Sequence, residues 1–158
     1  MTCALLRAGR ISALLAILVA GACTSVAVAA VITGTAQSDK LTGTSGADNI
    51  KGFAGVDKIS GGDGDDAISG GDDTDLLLGE GGDDVINGNN GTDAIDGGDG
   101  DDKLTGAAGL DHIEGGSGND TINSLDGGAD YVECGDGTDT AYVDAADVTD
   151  DCENVLIV

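Results

Sequence analysis

Between Gly34 and Asn123 one large aliphatic side chain returns at every ninth residue, with mostly small or polar residues between: Leu41, Ile50, Ile59, Ile68, Leu77, Ile86, Ile95, Leu104, Ile113 and Ile122. The stretch divides into ten nine-residue units without insertion, from GTAQSDKLT to GGSGNDTIN. Each unit has a glycine-rich loop half and a short strand half, a triplet centred on the aliphatic residue. Alternate side chains of a strand face opposite sides, so the aliphatic residue points inward and its two neighbours outward. One inward side chain per strand cannot form a core alone. Stacked turns bring the ten together as a continuous apolar column, with each unit touching only its neighbours.

Two further columns keep the same register. The first position is Gly in all ten units, from Gly34 to Gly115, and the fourth is Gly except at Gln37 and Asp73. Position 2 is often Gly as well. Glycine accepts positive φ without a Cβ penalty, so these positions are expected to turn the backbone sharply and aim carbonyls inward. The sixth position is always Asp: Asp39, Asp48, Asp57, Asp66, Asp75, Asp84, Asp93, Asp102, Asp111 and Asp120. High Gly and high charge fit a disordered linker when taken alone. A linker, however, has no use for an unbroken aliphatic register.

These columns resemble the RTX, or haemolysin-type, calcium-binding nonapeptide repeat, G-G-x-G-x-D-x-U-x, over 90 of the 158 residues. The resemblance implies an all-β fold, a parallel β-roll with two units to a turn. Ten units then give about five turns, on the order of 24 Å tall at roughly 4.8 Å per strand. It also implies several Ca²⁺ ions between the loops of neighbouring turns. Ca²⁺ takes about six to eight hard oxygens from carboxylates and carbonyls. Carried over, Asp48, Asp66, Asp84, Asp102 and Asp120 line one side, and Asp39, Asp57, Asp75, Asp93 and Asp111 the other. Loop oxygens come from Asp63, Asp99 and the backbones of Gly62, Gly64, Gly82, Gly98, Gly100, Gly116 and Gly118. The even-numbered units keep every position-4 glycine and add Asp65, Glu80, Asp83 and Asp101, whereas the odd ones carry Val56 and Leu110 at position 5. The even side is therefore expected to bind Ca²⁺ more tightly. Without a cation each Asp column is a ladder of like charges, and the metal-free chain is expected to be disordered, since binding and folding are coupled in such sites.

Charge sharpens this picture. The formal net charge is −24, and all 30 acids follow residue 30. Such a chain repels nucleic acid and anionic membrane surfaces and suits divalent cations. Arg7 and Arg10, the apolar run from Ile11 to Val19 and the small residues Ala27 to Ala30 predict an export signal over residues 1–30, cleaved after Ala29 or Ala30. The run is short for a membrane span, and none is expected in the mature chain. Ala20-Gly21-Ala22-Cys23 resembles a lipobox, so a lipid anchor at Cys23 is the alternative to free secretion.

Residues 31–33 are expected to lead in as a capping strand, and 34–123 are the ten repeats. Residues 124–141 read as two degenerate units after a one-residue slip, with Asp130 and Asp139 in the Asp register. Residues 142–158 are expected to abandon the repeat and form a cap. Cys134 and Cys152 are the cysteines left after signal removal. In an exported chain they favour a disulfide stapling that cap, with free thiols or a soft-metal site as the alternatives. His112 and the flanking Leu76 and Leu78 should face outward.

No nucleophile motif, HExxH pattern or phosphate-binding loop is present. The expected activity is structural Ca²⁺ binding outside the cell without catalysis, in a surface, matrix or adhesion role with cell-surface or matrix components as partners. The alternative is a repeat-scaffold enzyme acting on extracellular polysaccharide. Ice binding would need an outward Thr row, which position 9 lacks.

Overall fold

The computed structural model describes residues 27–158, so the expected signal segment up to residue 26, with Cys23, lies outside the described residues. Fifteen strands follow one another: β1 (Val31–Thr33), β2 (Lys40–Thr42), β3 (Asn49–Ala54), β4 (Lys58–Asp63), β5 (Ala67–Asp72), β6 (Leu76–Gly81), β7 (Val85–Gly91), β8 (Ala94–Asp99), β9 (Lys103–Gly109), β10 (His112–Gly118), β11 (Thr121–Asn123), β12 (Tyr131–Gly137), β13 (Thr140–Val143), β14 (Val148–Asp150) and β15 (Asn154–Ile157). Odd-numbered strands form an eight-stranded parallel sheet and even-numbered strands a seven-stranded one. Each turn gives one strand to each sheet, which makes a parallel β-solenoid of about seven turns.

The period of nine sets the register. Ile50 pairs Ile68, Ile68 pairs Ile86 and Ile86 pairs Leu104, two units apart each time. Leu41, Ile59, Leu77 and Ile95 stack likewise in the other sheet. The two aliphatic columns meet between the sheets, and from Ile50 to Ile122 none is more than 3% exposed. Each buried side chain of this size contributes about 2 kcal/mol. Most strands run past the expected triplet into the first residues of the next unit, because pairing continues there: Phe53 opposes Gly71, and Glu80 opposes Gly98.

Five turns account for the ten regular units only. β1 adds an edge strand beneath them, with Ile32 buried. The slip after Asn123 is absorbed in the loop before β12, so Ile113 pairs Val132 and Ile122 pairs Ala141 across 19 residues instead of 18. Ser124 is fully buried in that loop and donates to Asp147 Oδ2 at 2.9 Å. At the other end β14 pairs β12 and β15 pairs β13, so residues 142–158 close the stack as a further turn. Cys134 takes the place of a position-1 glycine in the core and is disulfide-bonded to Cys152, whose Cα is 5.0 Å away. Leu76 and Leu78 are half-buried, and His112 is exposed with its ring stacked on Tyr131 at 5.0 Å. No helix among the described residues is long and apolar enough to cross a membrane.

Candidate metal centre

The position-6 aspartates do not project into solvent between the loops. They turn inward; Asp39 is half-buried and the rest are buried, from Asp48 at 4% exposure to Asp139 at 0%. From Asp57 on, each Oδ1 accepts the backbone N–H of the aspartate one turn below. On the even side Asp48 N–H donates to Asp66, Asp66 to Asp84, Asp84 to Asp102, Asp102 to Asp120 and Asp120 to Asp139, at 2.7–2.9 Å. On the odd side the row runs from Asp39 through Asp57, Asp75, Asp93 and Asp111 to Asp130, at 2.8–2.9 Å. Both predicted columns therefore exist, and their inner geometry is the same. Asp130 and Asp139 extend them as expected.

Three terminating residues escaped the sequence reading. Ala30 N–H donates to Asp48 Oδ1 at the lower end of the even row, and Glu153 accepts the N–H of Asp139 at its upper end. Asp147 accepts the N–H of Asp130 at the upper end of the odd row. The spacing there shortens to 17 and 14 residues. A search at the repeat period passes over them, although acids after Asp139 were a visible signal.

The position-1 glycine follows from the inward aspartate. Its φ is not left-handed in any of the ten units, which corrects the expectation that it serves the turn. What it supplies is space. A Cβ on Gly61 would collide with Asp66 Oδ2 of the same unit and lie 2.8 Å from the carbonyl of Gly79 in the next turn. The same pair of oxygens bounds Gly52, Gly70, Gly79, Gly88 and Gly97.

The left-handed backbone sits at positions 2 and 4, the other two positions expected to turn. Position 2 is left-handed in every unit from Phe53 to Gly116, including the non-glycines Phe53, Glu80, Asn89 and Ala107. In the first two units it is not, and there Thr35 N–H donates to Asp39 Oδ2 at 2.7 Å and Thr44 N–H to Asp48 Oδ2 at 2.5 Å. From the third unit on no such bond forms. Oδ2 of Asp57, Asp66, Asp75, Asp84, Asp93, Asp102, Asp111, Asp120, Asp130 and Asp139 is buried with no donor. An unpaired buried carboxylate oxygen is expensive.

That cost appears as proton affinity. Burial pushes Asp75, Asp84, Asp93, Asp120 and Asp130 up to about 6, and Asp102 up to about 7. The accepted amide lowers each value, and repulsion from neighbouring carboxylates raises it again. Asp57, Asp66, Asp111 and Asp139 are raised for the same first reason.

The loops supply other oxygens. Carbonyls of Gly64, Gly82, Gly98, Gly100, Gly116 and Gly118 lie against the Cα of the matching residue one turn on, where no Cβ would fit. Gly62 opposes Glu80 in the same register. Asp63 and Asp99 are exposed at the loop corners, away from the inner ladder. The even side carries a continuous outer row: Asp65 Oδ1 accepts Asp83 N–H at 3.1 Å, Asp83 accepts Asp101 N–H at 3.0 Å, and Asp101 accepts Asn119 N–H at 2.8 Å. The odd side has separate outer bonds, from Gly55 N–H to Asp73 and from Gly109 N–H to Asp126. Among the described residues no three carboxylate, imidazole or thiolate side chains cluster into a metal site by themselves. An ion held here would take most of its oxygens from the loop backbone. Orphaned carboxylate oxygens beside stacked carbonyls form an all-oxygen donor set, which suits a hard divalent cation and not a soft one.

A family model described as the RTX calcium-binding nonapeptide repeat matches the chain in four copies, over residues 33–68, 69–104, 96–128 and 105–141. No curated protein matches the chain by sequence.

Proposed function

Because the chain belongs to the RTX calcium-binding nonapeptide repeat family, we propose that it is an exported β-roll whose folding is driven by Ca²⁺ and whose role is structural. The observation that carries this reading is the double row of ten buried Oδ2 atoms without a donor. Bound Ca²⁺ supplies the positive charge these oxygens lack and accepts further hard oxygens. Asp57 to Asp120, extended by Asp130 and Asp139, would hold it together with carbonyls of the position-2 and position-4 residues. Position-1 glycines keep the space open, and in the ordered roll the Oδ1–amide bonds fix each carboxylate.

Family proteins are typically secreted, and extracellular modules bind Ca²⁺ in roughly the 10⁻⁴–10⁻³ M range. Ordering would therefore follow export into a calcium-rich medium. We assign no catalytic residue and read the acidic exterior as a surface or matrix module. Circular dichroism during a Ca²⁺ titration of the mature chain tests this, with Mg²⁺ as control. Strand signal and melting temperature should rise with Ca²⁺. A chelated chain that is already fully ordered at neutral pH, and indifferent to added Ca²⁺, refutes the proposal.

A further inference from the structure

The backbone at position 2 divides the turns into two kinds. Thr35 and Thr44 donate their N–H groups to Asp39 and Asp48, and Thr35 Oγ1 and Thr44 Oγ1 add bonds of 2.8 and 3.2 Å to the same carboxylates. From Phe53 onward position 2 is left-handed and every ladder Oδ2 is left bare. We infer that position 2 selects which turns take metal: Asp39 and Asp48 are satisfied by protein alone and bind none, and sites begin at the third unit. This rests on the calcium reading and narrows it. The lowest turn then serves as a metal-independent base on which the others order.

Calcium ions bound per chain, measured by equilibrium dialysis, test this. Asp48→Asn should leave the count unchanged, Asp66→Asn should lower it by about one, and Thr44→Gly should raise it by about one, since glycine enters the left-handed region freely. Equal losses for Asp48→Asn and Asp66→Asn, with the wild type still binding, overturn the inference while sparing the calcium reading. A wild type that binds no calcium removes both.

A second site is carried by a different observation. Phe53, the chain's single Phe, is 54% exposed and left-handed at φ 84°. A bulky residue there is strained by about 1–2 kcal/mol, and burial does not offset it. Beside it an open groove of about 490 Å³ crosses three turns, with Gly71 as its floor between Phe53 and Asn89. Its polar wall is ordered: Asn90 donates to Asp72 at 2.8 Å and Asn89 to Ser69 at 2.9 Å, with Lys51 at the rim. One aromatic face beside fixed amide and carboxylate groups suits the apolar face and vicinal hydroxyls of a pyranose ring. We propose that this groove binds a short glycan.

An array of neutral and uronic-acid oligosaccharides, probed with the full chain in Ca²⁺, tests it. Binding should weaken about tenfold or more in Phe53→Gly, which removes the stacking face while relieving the backbone. Calcium-dependent melting at or above that of the wild type in that variant, as relief of the left-handed backbone implies, shows the loss is local. No binding to any array member, or binding indifferent to Phe53→Gly and Asn89→Gly, overturns the proposal.

Discussion

Acid should substitute for calcium in ordering this chain. The perturbation is chelation at about pH 7.5, followed by acidification to about pH 5, still above the isoelectric point near 4.1. Asp75, Asp84, Asp93, Asp120 and Asp130 are raised from 3.8 to about 6 and Asp102 to about 7. A tenfold gain in proton affinity corresponds to about 1.4 kcal/mol, so each group disfavours the ionised fold by about 2 kcal/mol once screening by the solvent around the loops is discounted. Three such groups already match the lower end of an ordinary domain's stability, about 5–15 kcal/mol. The sign follows from proton counts. Folded pKa values lie above the unfolded ones, so between about pH 4 and pH 7 the fold binds more protons, and stability rises as pH falls through that window. The chelated chain should be disordered at about pH 7.5 and gain strand signal by about pH 5, whereas the Ca²⁺-loaded chain should be ordered at both. Circular dichroism and tyrosine fluorescence read the transition. A chelated chain equally disordered at both values would show that the buried carboxylates are not what opposes folding.

Four further outcomes follow from the same geometry. Gly97→Ala drives a methyl onto Asp102 Oδ2 and the Gly115 carbonyl and should cost about 3 kcal/mol, while Gly81→Ala, with nothing within 4 Å, should be nearly neutral in thermal melts. Asp102→Asn removes a buried charge, so it should stabilise the chelated chain at neutral pH by about 1–2 kcal/mol and flatten its melting response to Ca²⁺. Reducing Cys134–Cys152 opens an 18-residue loop and should cost about 3 kcal/mol, with hydrogen exchange rising first in β13 and β15. Asp83→Asn with Asp101→Asn removes the charge of the outer row while keeping its acceptor oxygens, and should raise the midpoint Ca²⁺ concentration severalfold, while the same substitutions at Asp72 and Asp73 should shift it less.

Periodicity made the solenoid legible, because one inward aliphatic residue per nine admits few other ways to bury a core. The pairing of units and the two Asp columns came instead from the resemblance to the RTX repeat, which implies two units to a turn. What the period could not carry was anything that breaks it. Residues 142–158 wind on without the glycine pattern, since Ala141, Val143 and the disulfide still fill the column. Asp147 and Glu153 close the ladders at shortened spacings. Left-handed φ at Phe53, Glu80 and Ala107 was illegible for a physical reason: these residue types disfavour that region, and only the stacked neighbours impose it. Nothing in the period marked Thr35 and Thr44, whose hydroxyls and amides bond to Asp39 and Asp48.

The Gly and Asp columns are one constraint, not two. An inward carboxylate needs the volume above the position-1 Cα, so Asp66 forbids a side chain at Gly61 just as Asp102 does at Gly97. The amide of the turn below satisfies Oδ1 and holds the carboxylate in that space, and this leaves Oδ2 facing only backbone oxygens. In the first two units the donor to Oδ2 comes from position 2, as Thr44 does for Asp48, and from the third unit on that position is left-handed and Oδ2 has no donor. The geometry that packs the roll therefore creates its demand for positive charge, turn after turn. A proton answers that demand for one oxygen at a time and only in acid. A divalent ion can answer it at neutral pH, which is why order in this chain should depend on the calcium content of its surroundings.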